Sequence, residues 1–252
     1  IPFEQPVHDF VQAADGTDCQ ILGSFEALRW ALDEETLRAM AARFWNAGVD
    51  GLYLFNFYSM PGDWKRDVLG QLVSKDALAR LDKRYEMDKS GRFTPTSQLY
   101  LAFLNAIPDA QIPVALGAAP SDEATVLRLD IADQVESASA DGVLGRCTLG
   151  LLFDDLKDGD EIEVSINGVP LAWDDGEGSE DGWDRVGYEE GWSTYPSRTK
   201  GENTPGQSVE FDLAAPPLRH GENEISLRLS RHDPERGDGP VLKDVRVWLR
   251  YA

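Results

Sequence analysis

Residues 41–58 read AARFWNAGVDGLYLFNFY and join a helix to a strand with almost nothing between them. Leu37, Met40, Ala41, Phe44 and Trp45 recur at helical spacing, and Gly48 is the residue type that ends helices in a left-handed turn. Asp33-Glu34-Glu35 puts carboxylates at the start of that helix, where its dipole favours them. From Val49 to Phe55 nearly every position is apolar, so the strand is expected to be buried on both faces. Such strands belong to parallel sheets flanked by helices. At its carboxyl end the run gives way to Asn56, Phe57, Tyr58 and Ser59. In barrels of alternating strands and helices, that end carries the chemistry.

Working outward, Pro6 opens a helix over Val7–Ala14, closed by the turn Asp15-Gly16-Thr17-Asp18. Cys19 to Glu26 reads as a short buried strand that finishes in a carboxylate. Beyond the central strand, a loop with Pro61 and Gly62 leads to helical patterns in Val68–Leu72 and Ala77–Tyr85. The order predicts two strand-helix units of a parallel α/β fold. A closed barrel needs about eight strands, so the upstream strands are expected to lie outside this chain, which starts at Ile1 rather than Met. Oligomerisation or domain swapping is the rival explanation.

From about Ala124 the period changes. Residues 125–131, 160–167, 208–213, 224–229 and 245–249 alternate apolar with polar, and Asp158-Gly159, Asn167-Gly168 and His220-Gly221 punctuate them. Short period-2 strands with such turns predict an antiparallel β-sandwich or jelly roll. The domain boundaries are therefore expected at 1–107 for the α/β part, 108–123 for a Pro- and Ala-rich linker, and 124–252 for the all-β part.

The formal charge of −21, from 45 acidic and 24 basic side chains, argues against nucleic acid or an anionic membrane as partner. It fits a solubilising surface, with cation binding by part of the acidity as the alternative. Cys19 and Cys147 make neither a disulfide framework nor a zinc site, and both are expected to be free and buried. No run reaches the roughly 18 apolar residues of a membrane span, and no signal peptide is visible. A soluble chain is expected, its location open, with secretion or the periplasm compatible. His8, His220 and His232 are scattered, without paired metal-ligand spacing. No cofactor and no metal are expected. Asp174-Asp175-Gly176-Glu177-Gly178 raises calcium as an alternative but lacks the spacing of the helix-loop-helix calcium loop.

GVDGLYLFNF (48–57) with LARLDKRYEMD (78–88) resembles the last repeat of glycoside-hydrolase-like (β/α)8 barrels that carry a β-sandwich behind them. DEIEVSINGVPL (160–171) and LRHGENEI (218–225) resemble phrases of galactose-binding-like jelly rolls. The resemblance implies that Val49–Phe55 is the eighth barrel strand and Ile21–Phe25 the seventh. Glu26 then matches the nucleophile of retaining glycosidases, a carboxylate that attacks the anomeric carbon while a second carboxyl group protonates the leaving oxygen. That acid belongs to the fourth strand, outside this chain. The alternative for Glu26 is an ordinary carboxylate at a loop or helix start.

Asn56 and Tyr58, at the strand end, are candidates for hydrogen bonds to sugar hydroxyls, or for loop and capping roles. Trp64, in the loop beyond, stacks on a sugar or packs the rim. The long insertion from Ala172 to Gln207 carries Trp173, Trp183 and Trp192 among many carboxylates. These tryptophans bind glycan or staple the insertion to the sheet. The function expected is a carbohydrate-active hydrolase, glycosidase-like, with this chain as its C-terminal portion and carbohydrate as partner. The alternative is a non-catalytic carbohydrate-binding or structural protein with a degenerate barrel. Further partners expected are the N-terminal barrel portion or a second copy of the chain.

Overall fold

The computed structural model describes residues 6–26, 33–55, 57, 62–88, 110–157, 159–172, 207–233, 235 and 237–252. The amino-terminal part contains α1 (Val7–Ala14), β1 (Leu22–Glu26), α2 (Glu34–Ala47), β2 (Gly51–Phe55), α3 (Gly62–Leu72) and α4 (Lys75–Leu78). Helix α2 begins where the Asp33 carboxylate accepts from the Thr36 N–H at 2.9 Å, and it ends at Gly48, whose φ of 89° closes the last turn. Strands β1 and β2 run parallel, from Leu22 opposite Gly51 to Glu26 opposite Phe55. Asp50 clamps their start, donating from its N–H to the Ile21 carbonyl and accepting the Ile21 N–H on its carboxylate, each at 2.8 Å.

One face of this pair packs on α2. Phe25 meets Phe44 with ring centroids 5.0 Å apart, and a Cβ at Gly23 would lie 2.5 Å from the Phe44 ring, so only glycine fits there. The other face departs from the expectation of burial on both sides. Leu22, Tyr53 and Phe55 are 53%, 52% and 46% exposed. The physical reason is topological: this sheet has two strands among the described residues, and no described layer lies over its second face.

The helical pattern expected through Tyr85 stops early. Ser74 caps α4 by accepting from the Ala77 N–H at 3.1 Å, but the helix lasts four residues. Lys83–Glu86 is instead a strand, β3, paired antiparallel with β11 (Val241–Tyr251) from Lys83 opposite Leu249 to Glu86 opposite Arg246. Pairing with a distant strand outweighs a weak local helical signal. Within residues 108–123, β4 (Val114–Ala115) also pairs with β11.

The remaining elements are β5 (Thr125–Ile131), α5 (Val135–Ala140), β6 (Leu144–Asp154), β7 (Glu161–Ile166), β8 (Val169–Leu171), β9 (Gln207–Asp212) and β10 (Gly221–Arg231). Two antiparallel sheets result, in the orders β5-β10-β7-β8 and β3-β11-β6-β9. Alternate residues of the first, Leu127, Leu129, Ile162, Val164, Ile225 and Leu227, are buried in one continuous core with Leu149, Leu151, Val245, Val247 and Phe211 of the second. Burying each such side chain contributes about 1.5–3 kcal/mol.

Strand β6 lies outside the five alternating segments read from the sequence. Its centre is buried on both faces, so it carries no alternation. On its second face Gly150 sits beneath Trp248, whose ring would be 2.5 Å from a Cβ there. Asn167 and Gly168, with φ of 50° and 78°, form the two-residue turn between β7 and β8. The Gly-x-Asn phrase has a structural role too: Gly221 takes φ 88°, and the buried Asn223 amide donates to the Arg219 and Gly221 carbonyls at 2.8 Å.

Candidate functional site

Because β1 and β2 are parallel and in register, their carboxyl ends lie side by side, with the main chain of Glu26 opposite Phe55. Strand alternation puts position 26 in the register of Leu22 and Ser24, the face that also presents Tyr53 and Phe55. Those two rings lie 6.3 Å apart, centroid to centroid. Phe57, just beyond β2, is buried. Of the residues singled out in the sequence, Glu26 and Trp64 are described in their main chains only. Trp64 stands in the first turn of α3 rather than in a loop. Asn56, Tyr58, Trp173, Trp183, Trp192 and the 174–178 segment lie outside the described residues.

His232, His220 and Cys147 hold structure. His232, buried, bonds Asp160 through Nδ1 at 2.8 Å and the Gly237 carbonyl through Nε2 at 3.3 Å, and the Asp160 carboxylate holds its pKa above the ordinary value. His220 Nδ1 lies 3.1 Å from the Ala132 carbonyl. Burial pushes the Cys147 thiol up to about 12, which suits an inert core residue. Cys19 departs from the expected burial and is exposed, because β1 starts only at Leu22. Among the described residues no group of three or more His, Cys, Asp and Glu is placed to hold a metal ion. No described helix is long and apolar enough to cross a membrane.

A buried polar cluster absent from the sequence reading lies on the core face of β3. Lys83, 1% exposed, donates to the Leu78 carbonyl at 2.7 Å, the Leu81 carbonyl at 3.0 Å and Asp133 Oδ1 at 3.0 Å. Tyr85 donates its hydroxyl to Asp133 Oδ2 at 2.6 Å, and Tyr251 donates to Oδ1 at 3.0 Å. Burial lowers the Lys83 pKa although Asp133 opposes it, and burial followed by the Asp133 charge raises both tyrosines. All three Lys83 donors are engaged, so the ammonium fixes geometry and is not an available nucleophile. No local motif announces this cluster, since its hydrogen-bonded partners are up to 118 residues apart in sequence.

The opposite face of β3 carries a second ionic set. Arg84 pairs with Glu86 at 2.8 Å and Asp33 at 2.6 Å, while Arg246 pairs with Asp244 at 2.6 Å. Thr36 of α2 donates to Glu86 at 3.3 Å. Arg43, on the same helix, donates to the carbonyls of Asp130 and Glu86 and stands 5.2 Å over the Tyr85 ring. Helix α2 is thus tied to β1 by apolar packing and to β3 by charge.

No family model matches the chain, and no characterised protein is significantly similar to it in sequence. Among solved structures, dimeric latent PorU from Porphyromonas gingivalis is similar at a TM-score of 0.27 and 10% identity, over 67% of this chain and 12% of that one. The chain thus spans about an eighth of that protein's length. At that level the likeness carries nothing about activity.

Proposed function

We propose that the chain is the carboxyl-terminal part of a carbohydrate-active hydrolase. In this reading β1 and β2 are the last two staves of a (β/α)8 barrel, and the two antiparallel sheets form an accessory sandwich of jelly-roll type. One observation carries it: the parallel pair packs α2 on one face and leaves Leu22, Tyr53 and Phe55 about half exposed on the other. In a barrel the helix-covered face is the outside and the opposite face lines the interior, where bulky side chains fill layers. Position 26 shares the interior register at the carboxyl end, where substrates of such barrels sit.

Glu26 is then the nucleophile. Its carboxylate attacks the anomeric carbon, the glycosidic C–O bond breaks, and a glycosyl ester forms. A carboxylic acid about 5–5.5 Å away, from a strand outside this chain, protonates the departing oxygen and then activates the water that hydrolyses the ester. Asn56, Tyr58 and Trp64 position the sugar, and Trp173, Trp183 and Trp192 hold a more distant part of the glycan.

The test is a panel of aryl glycosides and polysaccharides offered to the full-length protein and to its Glu26→Gln variant. Turnover in the parent, reduced at least about a thousandfold in the variant, is the expected result. Binding of polysaccharide with no turnover in either would overturn the enzymatic reading and leave a carbohydrate-binding protein with a degenerate barrel.

A further inference from the structure

A cleft of about 180 Å³ opens between α4 with its following turn and α5, independent of the β1–β2 rim. The buried Lys83 and the partly buried Asp133 and Tyr251 line its depth, and Leu78, Ala42 and Val143 supply apolar wall. The exposed side chains of Lys75 and Arg80 stand at its mouth on one side, with Ser137 and Asp141 on the other. Its volume is below the roughly 300–1,000 Å³ of sites for drug-sized ligands, so the occupant is smaller than these.

Three observations give the occupant its chemistry. The chain carries nearly two acids for every base, yet this mouth holds two cations against one carboxylate. Among the described residues neither Lys75 nor Arg80 has a carboxylate within ion-pair distance, and Lys75 donates only to the neutral Asn46 amide at 3.2 Å. Elsewhere Arg38, Arg146, Arg228, Arg231 and Lys243 each have one within 3.0 Å. Finally, Arg80 holds φ at 62°, a left-handed conformation that residues other than glycine adopt rarely and that concentrates at functional sites.

We propose that this cleft binds a small organic anion, a single carboxylate or phosphate group on a body no larger than one sugar ring. Lys75 and the planar fork of Arg80 grip the anionic group. The Lys83–Asp133–Tyr251 network cannot rearrange without stranding a buried charge, so it presents a fixed floor. The Tyr251 oxygen, whose hydrogen is given to Asp133, is left to accept from a ligand hydroxyl. Asp141 takes a second hydroxyl at the rim.

The chain is titrated calorimetrically with glucuronate, with glucose 6-phosphate and with uncharged glucose at matched ionic strength. The expected result is saturable binding of at least one anion, weakening as salt rises, with glucose inert. The two anion arms separate a carboxylate from a phosphate ligand. Lys75→Gln and Arg80→Gln should each weaken binding about tenfold, the loss of one charged hydrogen bond. Both side chains are exposed, and thermal melting confirms that the variants are folded. Glu26→Gln should leave binding unchanged, so this proposal fails or stands apart from the hydrolase reading. Binding of neither anion, equal binding of glucose, or indifference to both substitutions overturns it.

Discussion

The parallel pair β1–β2 and the antiparallel sheet β3-β11-β6-β9 both lean on α2, yet they end in opposite conditions. Strands β6 and β11 pair along most of their length, and Leu149, Leu151, Val245 and Val247 are buried in the core shared with the other antiparallel sheet. Strands β1 and β2 share five residue pairs, with apolar side chains of α2 on one side and half-exposed aromatic rings on the other. A sheet covered on both faces supplies stability, whereas one covered on a single face supplies surface for another molecule. The contrast predicts that global stability resides in the antiparallel region and that the parallel pair opens locally at lower cost.

The severest trial of that contrast is Asp133→Ala. The substitution removes the shared acceptor of Lys83, Tyr85 and Tyr251 and strands a buried ammonium. It should cost about 3–5 kcal/mol in urea unfolding. A loss under about 1 kcal/mol would break the assignment of stability to this region.

A matched pair of glycine substitutions sharpens the contrast. In Gly150→Ala the new Cβ meets the Trp248 ring, and in Gly23→Ala it meets the Phe44 ring, each at 2.5 Å. The same crowding should cost about 1–3 kcal/mol globally at Gly150. At Gly23 it should appear as faster hydrogen exchange confined to β1 and β2, with a smaller shift of the urea midpoint. Equal midpoint shifts would show that the two regions unfold as one unit.

The smallest effect expected is a pH dependence. Asp160 holds the His232 pKa above its ordinary 6.5 in the folded state, so folding favours the protonated imidazole. The stability from this pair is fully present below about pH 6.5 and is lost as pH rises through the folded value. Melting temperatures of the parent across that range should therefore decline toward high pH, and His232→Gln should flatten the decline. A parent curve matching the variant at every pH would remove the pair from the account.

Much of the fold was legible where local rules decide it. Asp33 and Gly48 bound α2, and the alternation in β5, β7 and β10 states which side chains face the core. Strand β6 was not legible, because a strand buried on both faces at its centre leaves no period to detect. Strand β3 was hidden for another reason: Lys83–Glu86 resembles a helix end until Arg246–Leu249, some 160 residues later, lies beside it. The apolar run at Val49–Phe55 correctly gave a parallel strand, but its composition does not reveal whether a second layer is present to cover Tyr53 and Phe55. At the carboxyl end of β1, the sequence located the strand position occupied by Glu26. The Lys83–Asp133–Tyr85–Tyr251 group escaped it because those residues converge only through tertiary pairing.

Strand β3 has one further consequence for how this molecule avoids error. Its successive residues alternate between two ionic sets, Lys83 and Tyr85 toward Asp133, Arg84 and Glu86 toward Asp33, Thr36 and Arg246. Sliding by one residue would turn each set into the other's surroundings and leave buried charge facing the wrong neighbours. Charge, rather than greasiness, therefore sets the alignment of this edge strand, and a foreign strand lacking the same alternation of ions cannot take its place.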